Sequence, residues 1–290
     1  MSFRRLLMVD GTGYLYRSFF GIKGLSTQDG KPTNAVFGFI RAIRQFQQVW
    51  KPTHFVVAWD GGTPVERLER LPTYKSQRPP MPDALREQIA PIMDYLERAA
   101  VTVIRLERQE ADDVLASLAM WATSDGADEI LIASSDKDLF QLVDDHVSLI
   151  TASRDEPKMG REAVRAKTGV YPDQIVDWLA LTGDTADNIP GVEGLGPKTA
   201  ARLLGQFGSL DSLWERLAEV ESERIRSRLG ASRALVENNV RLIRLRRDLG
   251  CSPGWDALAV QPESPAKLRP FYERLELHSL LKGLEQPDLF

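Results

Sequence analysis

Residues 6–10 have the sequence Leu6-Leu-Met-Val-Asp10, and residues 55–60 have the sequence Phe55-Val-Val-Ala-Trp-Asp60. In both stretches a short apolar run leads directly into an aspartate. Two more strand-like apolar runs lie at 101–104 and 130–133. They alternate with stretches at 35–50 and 114–121 in which apolar residues have helical spacing. Buried strands that alternate with helices are typical of an α/β protein. The sequence therefore predicts a central, mostly parallel sheet flanked by helices.

The composition is that of an ordinary globular protein, with 290 residues, 43% hydrophobic and 27% charged. No apolar run approaches the roughly 20 residues that cross a bilayer, so we expect no membrane association and a cytoplasmic location. Cys251, the single cysteine, allows no internal disulfide, and the three widely spaced histidines give little support to a zinc site or a Ser-His-Asp triad. The net charge of −4 at first argues against DNA as a partner.

The chain divides into a predicted α/β core at 1–188 and a helical region at 189–290, which ends in closing helices at about 275–281. Within the core, residues 61–91 interrupt the alternation, because this stretch is polar, rich in proline and carries several Lys and Arg residues. Long insertions of this kind in a compact domain are usually functional or disordered.

Carboxylates form five groups along the chain, and three of these groups follow predicted strands. The carboxyl ends of parallel strands face one crevice, so these groups are expected to meet there. For any single aspartate, a helix cap or a turn is the simpler interpretation. Together they would repel one another by on the order of several kcal/mol per close pair, and divalent cations would relieve that repulsion. The nine carboxylates of these five groups are Asp10, Asp60, Glu110, Asp112, Asp113, Asp136, Asp138, Asp184 and Asp187.

The chemistry of this set indicates which ions it would bind. Oxygen ligands without Cys or His favour a hard ion, Mg²⁺ or Mn²⁺, and a large cluster can hold two ions. Two such ions about 3.5–4 Å apart activate a water and stabilise the leaving oxygen of a phosphodiester. The cluster therefore predicts phosphoryl hydrolysis.

Two other motifs have the residue types that contact phosphate. A glycine-rich turn before a helix offers backbone N–H groups and an ammonium, at Gly191, Val192, Gly194, Gly196, Lys198 and Thr199. In the inserted segment, Lys75 and Arg78 could neutralise a phosphate, and Tyr74 could stack on an unpaired base. The alternatives are an ordinary tight turn and a solvated loop. The turn lacks the Gly-Lys-Ser/Thr ending of a P-loop, which disfavours nucleotide triphosphate binding.

In this combination and order, the motifs resemble the 5′-nuclease family of flap endonucleases and 5′→3′ exonucleases. Within it they are closest to the N-terminal 5′→3′ exonuclease domain of bacterial DNA polymerase I. The resemblance covers nearly the whole chain, and the matching stretches are Val9-Asp-Gly, Tyr14-Leu-Tyr-Arg17, Tyr74-Lys-Ser-Gln-Arg-Pro-Pro-Met-Pro82, Glu110-Ala-Asp-Asp-Val-Leu-Ala116, Asp136-Lys-Asp-Leu139, Leu181-Thr-Gly-Asp-Thr-Ala-Asp-Asn-Ile-Pro-Gly191 and Gly194-Leu-Gly-Pro-Lys-Thr199. No polymerase sequence follows Phe290, which leaves open a stand-alone nuclease or an excised domain.

The resemblance implies a PIN-like nuclease core, a helical arch over the active site at about 61–91 and a helix-hairpin-helix-type DNA-binding motif at the glycine turn. The family's metal ligands carry over to all nine carboxylates. Its catalytic positions carry over to Tyr74, Lys75 and Arg78 in the arch and to Arg17. The family also implies K⁺ at the glycine turn, held by backbone carbonyls.

The resemblance further implies a structure-specific 5′-nuclease with two Mg²⁺ or Mn²⁺ ions, acting in primer removal during replication and in repair. Expected substrates are DNA with 5′ flaps, nicked or gapped duplexes and 5′ overhangs, and also RNA/DNA hybrid primers. We expect a bacterial-type, nucleoid-associated monomer, with a polymerase or sliding clamp as a further partner. Two alternatives remain open: a module that binds flap junctions without cutting them, and an RNA-directed nuclease of similar fold.

Overall fold

A five-stranded sheet forms the centre of the protein in the computed structural model, which describes residues 3–151 and 158–285. The strands have the order β3-β2-β1-β4-β5, and all neighbours are parallel. The four predicted strands are confirmed with ends shifted by at most one residue, while β5 was not predicted. The strands are β1 Arg5–Asp10, β2 His54–Trp59, β3 Thr102–Arg105, β4 Glu129–Ala133 and β5 Val147–Ile150.

Helices connect the strands and make up most of the second half of the chain. They are α1 Gly11–Gly21, α2 Asn34–Trp50, α3 Val65–Arg70, α4 Asp83–Arg86, α5 Ile89–Arg98, α6 Ala111–Ser124, α7 Arg161–Thr168, α8 Ile175–Thr182, α9 Pro197–Phe207, α10 Leu210–Glu215, α11 Glu223–Ala231, α12 Arg233–Ile243, α13 Trp255–Leu258, α14 Pro265–Arg274 and α15 His278–Glu285. A short antiparallel hairpin, β6 Gly183–Asp184 and β7 Ile189–Pro190, precedes α9. Of the closing helices predicted at about 275–281, the last begins at His278, because Glu276 has a φ of 54° and separates α14 from α15.

Helices cover both faces of the sheet, so its inner strands are apolar at nearly every position. On one face Leu6 and Met8 of β1 pack in a cluster with Val114 of α6. On the other face Leu7 and Val9 pack with residues of α2 and α5. Asp10 ends β1 and Asp60 follows β2, so these aspartates lie at the carboxyl edge of the sheet.

The inserted segment packs back onto the β6–β7 hairpin. Its short helices α3 and α4 are joined by turns, and the Lys75 backbone N–H donates to the Asp187 carbonyl oxygen at 3.0 Å. The Asn188 side-chain amide donates to the Thr73 carbonyl at 2.9 Å. Two parts of the chain more than 100 residues apart in sequence are thus held together at the edge of the sheet.

A buried asparagine joins the helical second half to the hairpin. Asn239 of α12 is fully buried, and its amide donates to the carbonyls of Ala180 at 3.0 Å and Pro190 at 2.7 Å. The division between domains at 188/189 stays a prediction. Within the described residues, no helix has the length and apolar content that crossing a membrane requires.

Candidate metal-binding and phosphodiesterase site

The strand-end aspartates are fixed by backbone amides at the carboxyl edge of the sheet. Asp10 ends β1 and caps α1, because its carboxylate accepts from the Gly13 N–H at 2.8 Å. Asp60 follows β2 and accepts from the Ala111 N–H at 2.7 Å, so it caps the start of α6. A Cβ at position 13 would lie 2.2 Å from an Asp10 carboxylate oxygen, so a larger residue there would require this carboxylate to shift. The cap interpretation and the functional interpretation of these residues are therefore compatible.

A second group of carboxylates lies between the loop after β4 and the β6–β7 hairpin. Asp136 accepts from the Asp138 N–H at 2.9 Å, which orients this short loop. The side chains of Asp138, Asp184 and Asp187 each offer an oxygen within 4.8 Å of the others, the spacing that a shared metal ion requires. An oxygen of Asp138 is buried without a hydrogen-bond partner among the described residues. This donor set fits a hard divalent cation.

Burial and mutual repulsion raise the pKa values of several carboxylates at the site. Burial, reinforced by the charge of Asp60, raises the pKa of Asp10 from 3.8 to about 6. Burial and the charges of Asp136 and Asp10 raise the pKa of Asp112 well above its ordinary range. Burial and Asp136 do the same to the pKa of Asp138. Without a cation the site holds more negative charge than it can stabilise.

Asp113 differs from its neighbour Asp112, although both belong to the first turn of α6. The Asp113 side chain is fully buried and bonds to the Arg67 guanidinium at 2.9 Å and to the Arg246 backbone N–H at 2.9 Å. Adjacent residues on a helix point about 100° apart. Asp112 lies among the charges of Asp136, Asp10 and Asp138, whereas Asp113 pairs with Arg67, and metal ligation by Asp113 stays a prediction.

Three residues of the inserted segment contact the carboxylates directly. The Lys75 ammonium lies 2.6 Å from Glu110 and 3.7 Å from Asp187, and the Arg78 guanidinium lies 2.6 Å from Asp187. The Tyr74 hydroxyl donates to Asp187 at 2.9 Å and to Glu110 at 3.1 Å. Burial and these two carboxylates raise the pKa of Tyr74, so the hydroxyl remains a donor. Tyr74 is 5% exposed in this conformation, and its stacking on an unpaired base stays a prediction.

Arg17 lies apart from the other predicted catalytic residues. It occupies α1 one turn beyond Gly13 and lines a cavity of about 240 Å³ together with Arg41 and Gln45 of α2. Its guanidinium stacks over the Tyr14 ring at 5.6 Å. No hydrogen bond or ion pair within the described ranges joins Arg17 to the carboxylates, and its role stays a prediction.

The glycine turn begins α9 as expected, with Pro197 in its first turn. Gly194 has a φ of 71°, and both Gly194 and Gly196 are exposed, as is Lys198. The Arg228 guanidinium of α11 donates to the Glu193 carbonyl at 2.8 Å, which occupies one oxygen of the turn. Exposed backbone next to a helix N-terminus suits a phosphate group, and the carbonyl oxygens of the turn are the ligand type that K⁺ takes.

Sequence reasoning missed several residues of the site. Ser134 donates to Asp10 at 3.1 Å, and Lys137 pairs with Asp184 at 3.1 Å. Arg67, buried between Glu110 and Asp113, was counted only among the cations of the insertion. The position of Ser134 and Lys137, directly after β4 beside Asp136, was the available signal.

Carboxylates lie at the strand ends of a parallel sheet, and a lysine and an arginine face them. This arrangement defines the class of protein as a phosphodiester-cleaving hydrolase. The family model described as "5'-3' exonuclease, N-terminal resolvase-like domain" matches residues 5–169, and "5'-3' exonuclease, C-terminal SAM fold" matches 170–266. The chain belongs to the 5′–3′ exonuclease family, and it is a nuclease of that family.

Curated relatives match over nearly the whole chain. A 5′–3′ exonuclease of Aquifex aeolicus is 37% identical over 283 residues, which cover 98% of this chain and 96% of the relative. DNA polymerase I of Bacillus caldotenax is 35% identical over 288 residues, which cover 98% of this chain and 33% of the polymerase. The chain thus spans about a third of that polymerase.

Solved structures share the fold. The T5 D15 protein, co-crystallised with metal ions, is 24% identical with a TM-score of 0.71, covering 93% of this chain and 98% of that one. The catalytic core of Rad2 in complex with DNA substrate is 17% identical with a TM-score of 0.64, covering 98% and 92%. The expected fold, with its mostly parallel sheet and helical second half, is confirmed.

Proposed function

We propose that this nuclease hydrolyses DNA phosphodiesters at 5′ ends, 5′ flaps and single-strand/duplex junctions, using two Mg²⁺ or Mn²⁺ ions. The observation that carries the proposal is the facing arrangement of two charge types. Lys75 lies 2.6 Å from Glu110 and Arg78 lies 2.6 Å from Asp187, so two cations of the inserted segment face carboxylates that lie beside the strand ends. A phosphodiester between the two groups would contact the bound metal ions on the carboxylate side and Lys75 and Arg78 on the other side.

Eight carboxylates would hold the ions. Raised pKa values at Asp10, Asp112 and Asp138 support this, because bound cations would offset the burial and the repulsion that raise them. Divalent ions in such a site supply an activated water and stabilisation of the leaving oxygen. The proposed ligands are Asp10, Asp60, Glu110, Asp112, Asp136, Asp138, Asp184 and Asp187.

Lys75 and Arg78 would stabilise the negative charge that develops on the phosphate. Both now pair with carboxylates, and Lys75 has a left-handed φ of 56°, so its side chain is held at a strained point of the segment. When cations neutralise Glu110 and Asp187, the ammonium and guanidinium become free to contact phosphate oxygens. Tyr74 would keep its hydrogen bonds and fix the segment against the carboxylates.

The glycine turn would hold the duplex downstream of the cut. Gly194, Gly196 and Lys198 are exposed at the start of α9, where backbone amides favour an anion. We include K⁺ at this turn in the proposal, bound through carbonyls other than that of Glu193. We also propose action on RNA/DNA primers, a cytoplasmic, nucleoid-associated monomer, and a polymerase or clamp as partner; the DNA polymerase I relative supports the last of these.

A cleavage experiment tests the proposal. Purified protein is incubated with a 5′-labelled DNA flap and its RNA counterpart, with Mg²⁺ or with EDTA, and the products are mapped on a ladder. We expect Mg²⁺-dependent cutting near the junction of the DNA flap. Asp138→Asn should abolish it, whereas Asp145→Asn, an exposed aspartate seven residues away, should not. Binding without cleavage would favour the non-cutting module, and faster cutting of RNA would favour the RNA-directed nuclease.

A further inference from the structure

A buried arginine lies between two acids of the same cluster. The Arg67 guanidinium on α3 bonds to Glu110 through Nη1 and to Asp113 through Nη2, the latter at 2.9 Å. Arg67 is 7% exposed, Glu110 6% and Asp113 0%. Arginine's planar fork allows it to hold two carboxylates in a fixed relative position, which lysine cannot do.

The Asp113 side chain pairs with Arg67. Its Oδ1 accepts from both Arg67 and the Arg246 backbone N–H, and its Oδ2 is buried without a hydrogen-bond partner among the described residues. A fully buried carboxylate requires a counter-charge, and Arg67 supplies it. The Arg246 amide fixes Asp113 to the chain that follows α12. The guanidinium is therefore anchored on the scaffold.

Glu110 is held from two directions. Lys75 and Tyr74 contact it from the inserted segment, at 2.6 and 3.1 Å, and both also contact Asp187. Lys75 would release Glu110 when it contacts a phosphate, whereas Tyr74 would keep its bond to Glu110 and hold the segment in place. Within the part of the chain that the structure describes, the two carboxylates that Arg67 contacts are Glu110 and Asp113. Arg67 can therefore stay on Glu110 when Lys75 moves to a phosphate.

We propose that Arg67 is a positioning residue, which holds the Glu110 carboxylate at the divalent-cation site, and that Asp113 is its counter-ion rather than a metal ligand. The inference rests on the proposed metal-dependent function. Residues that orient a metal ligand through a hydrogen bond typically contribute about 10- to 100-fold to metal affinity.

The test measures Mn²⁺ binding by calorimetry on the full chain without DNA, and separately the Mg²⁺ dependence of flap cleavage. The variants are Arg67→Met, Arg67→Lys, Asp113→Asn and the double variant Arg67→Met/Asp113→Asn. The matched control is Arg98→Met, because Arg98 bonds to a carboxylate, Asp94 at 2.6 Å, on the far helix α5. Circular dichroism and thermal unfolding report whether each variant is folded.

We expect Arg67→Met to weaken Mn²⁺ binding by about 10- to 100-fold and to raise the Mg²⁺ concentration for half-maximal cleavage in parallel. Arg67→Lys should recover part of this loss, and Arg98→Met should bind Mn²⁺ like wild type. Asp113→Asn should keep the wild-type number of bound ions and add little in the Arg67→Met background.

Wild-type Mn²⁺ affinity in Arg67→Met would overturn the positioning role. Fewer bound ions in Asp113→Asn, or additive effects in the double variant, would overturn the counter-ion role. Should Arg67→Met fail to fold, Arg67→Lys and Asp113→Asn decide through the same measurements. A wild-type protein that binds no Mn²⁺ would refute the metal-dependent function itself, which is a different outcome.

Discussion

Replacing Asp10 by asparagine is expected to stabilise the metal-free protein while it removes the nuclease activity. The pKa of Asp10 rises from 3.8 to about 6 in the folded protein because the carboxylate is desolvated and faces Asp60 and Asp136. Asparagine has no charge, yet its carbonyl oxygen can still accept from the Gly13 N–H and cap α1. The substitution thus removes the repulsion and keeps the cap.

The size of the effect follows from the displaced pKa. The difference of about two pH units corresponds to up to about 3 kcal/mol in the free energy of unfolding, at about 1.4 kcal/mol per unit. A raised pKa means that the folded state loses stability as the pH rises from about 4 to about 6. The advantage of Asp10→Asn should be absent below pH 4, grow over that window and be constant above it.

Urea unfolding with EDTA at pH 4 and pH 7.5 measures this difference, and a flap assay with Mg²⁺ records the loss of cleavage. Asp94→Asn is the control with the opposite sign. The pKa of Asp94 is lowered, because bonds from Arg98 and Arg274 at 2.6 and 2.7 Å outweigh the effect of burial. Asp94→Asn should destabilise the protein at pH 7.5. Equal or lower stability of Asp10→Asn at pH 7.5 would refute the account of the carboxylate cluster.

Three further outcomes are expected. Lys75→Ala should lower kcat on a 5′ flap by about 100- to 1000-fold in single-turnover assays, while the affinity for DNA in Ca²⁺ stays unchanged. Weaker DNA binding at unchanged kcat would make Lys75 a substrate-binding residue. Asn239→Ala should lower the free energy of unfolding by about 2–3 kcal/mol in urea titrations, because two buried carbonyls lose their donor. The neighbouring Asn238→Ala should have little effect, because its side chain makes a single 3.5 Å bond within the described residues; equal losses would contradict this. Gly194→Ala should weaken binding of duplex DNA because φ is 71° there, whereas Gly205→Ala in α9, where a Cβ meets nothing within 4 Å, should not; comparable affinities would exclude the turn from DNA binding.

The strands and the convergence of their aspartates were accessible from the sequence. An apolar run that ends in aspartate defines both a buried strand and the residue at its open end, as at Asp10 and Asp60. Because parallel strands end at one edge, the prediction that these carboxylates meet needed no coordinates. Strand β5 was missed because Val147–Ile150 is short and contains Ser148.

The direction of each side chain was not accessible in the same way. Asp112 and Asp113 are chemically identical neighbours, and only the phase of α6 against the sheet turns one toward the crevice and the other toward Arg67. Tyr74 lies in a polar, proline-rich segment, where an exposed stacking residue would be expected. It is buried instead, and its hydroxyl bonds to residues that lie 36 and 113 positions away. Local patterns contain no information on such distant contacts.

The sequence alone thus determined the α/β class, the acidic site and the kind of ion it favours, since these depend on local apolar runs and on residue chemistry. Tertiary structure decided which carboxylates share a space and which cation belongs to which acid. The reason is that ion pairing depends on distance in space, and the contacts of Arg67 span 43 and 46 residues of chain. That buried arginine pairs with both Glu110 and Asp113, and this pairing is the basis of the proposal that Asp113 is its counter-ion.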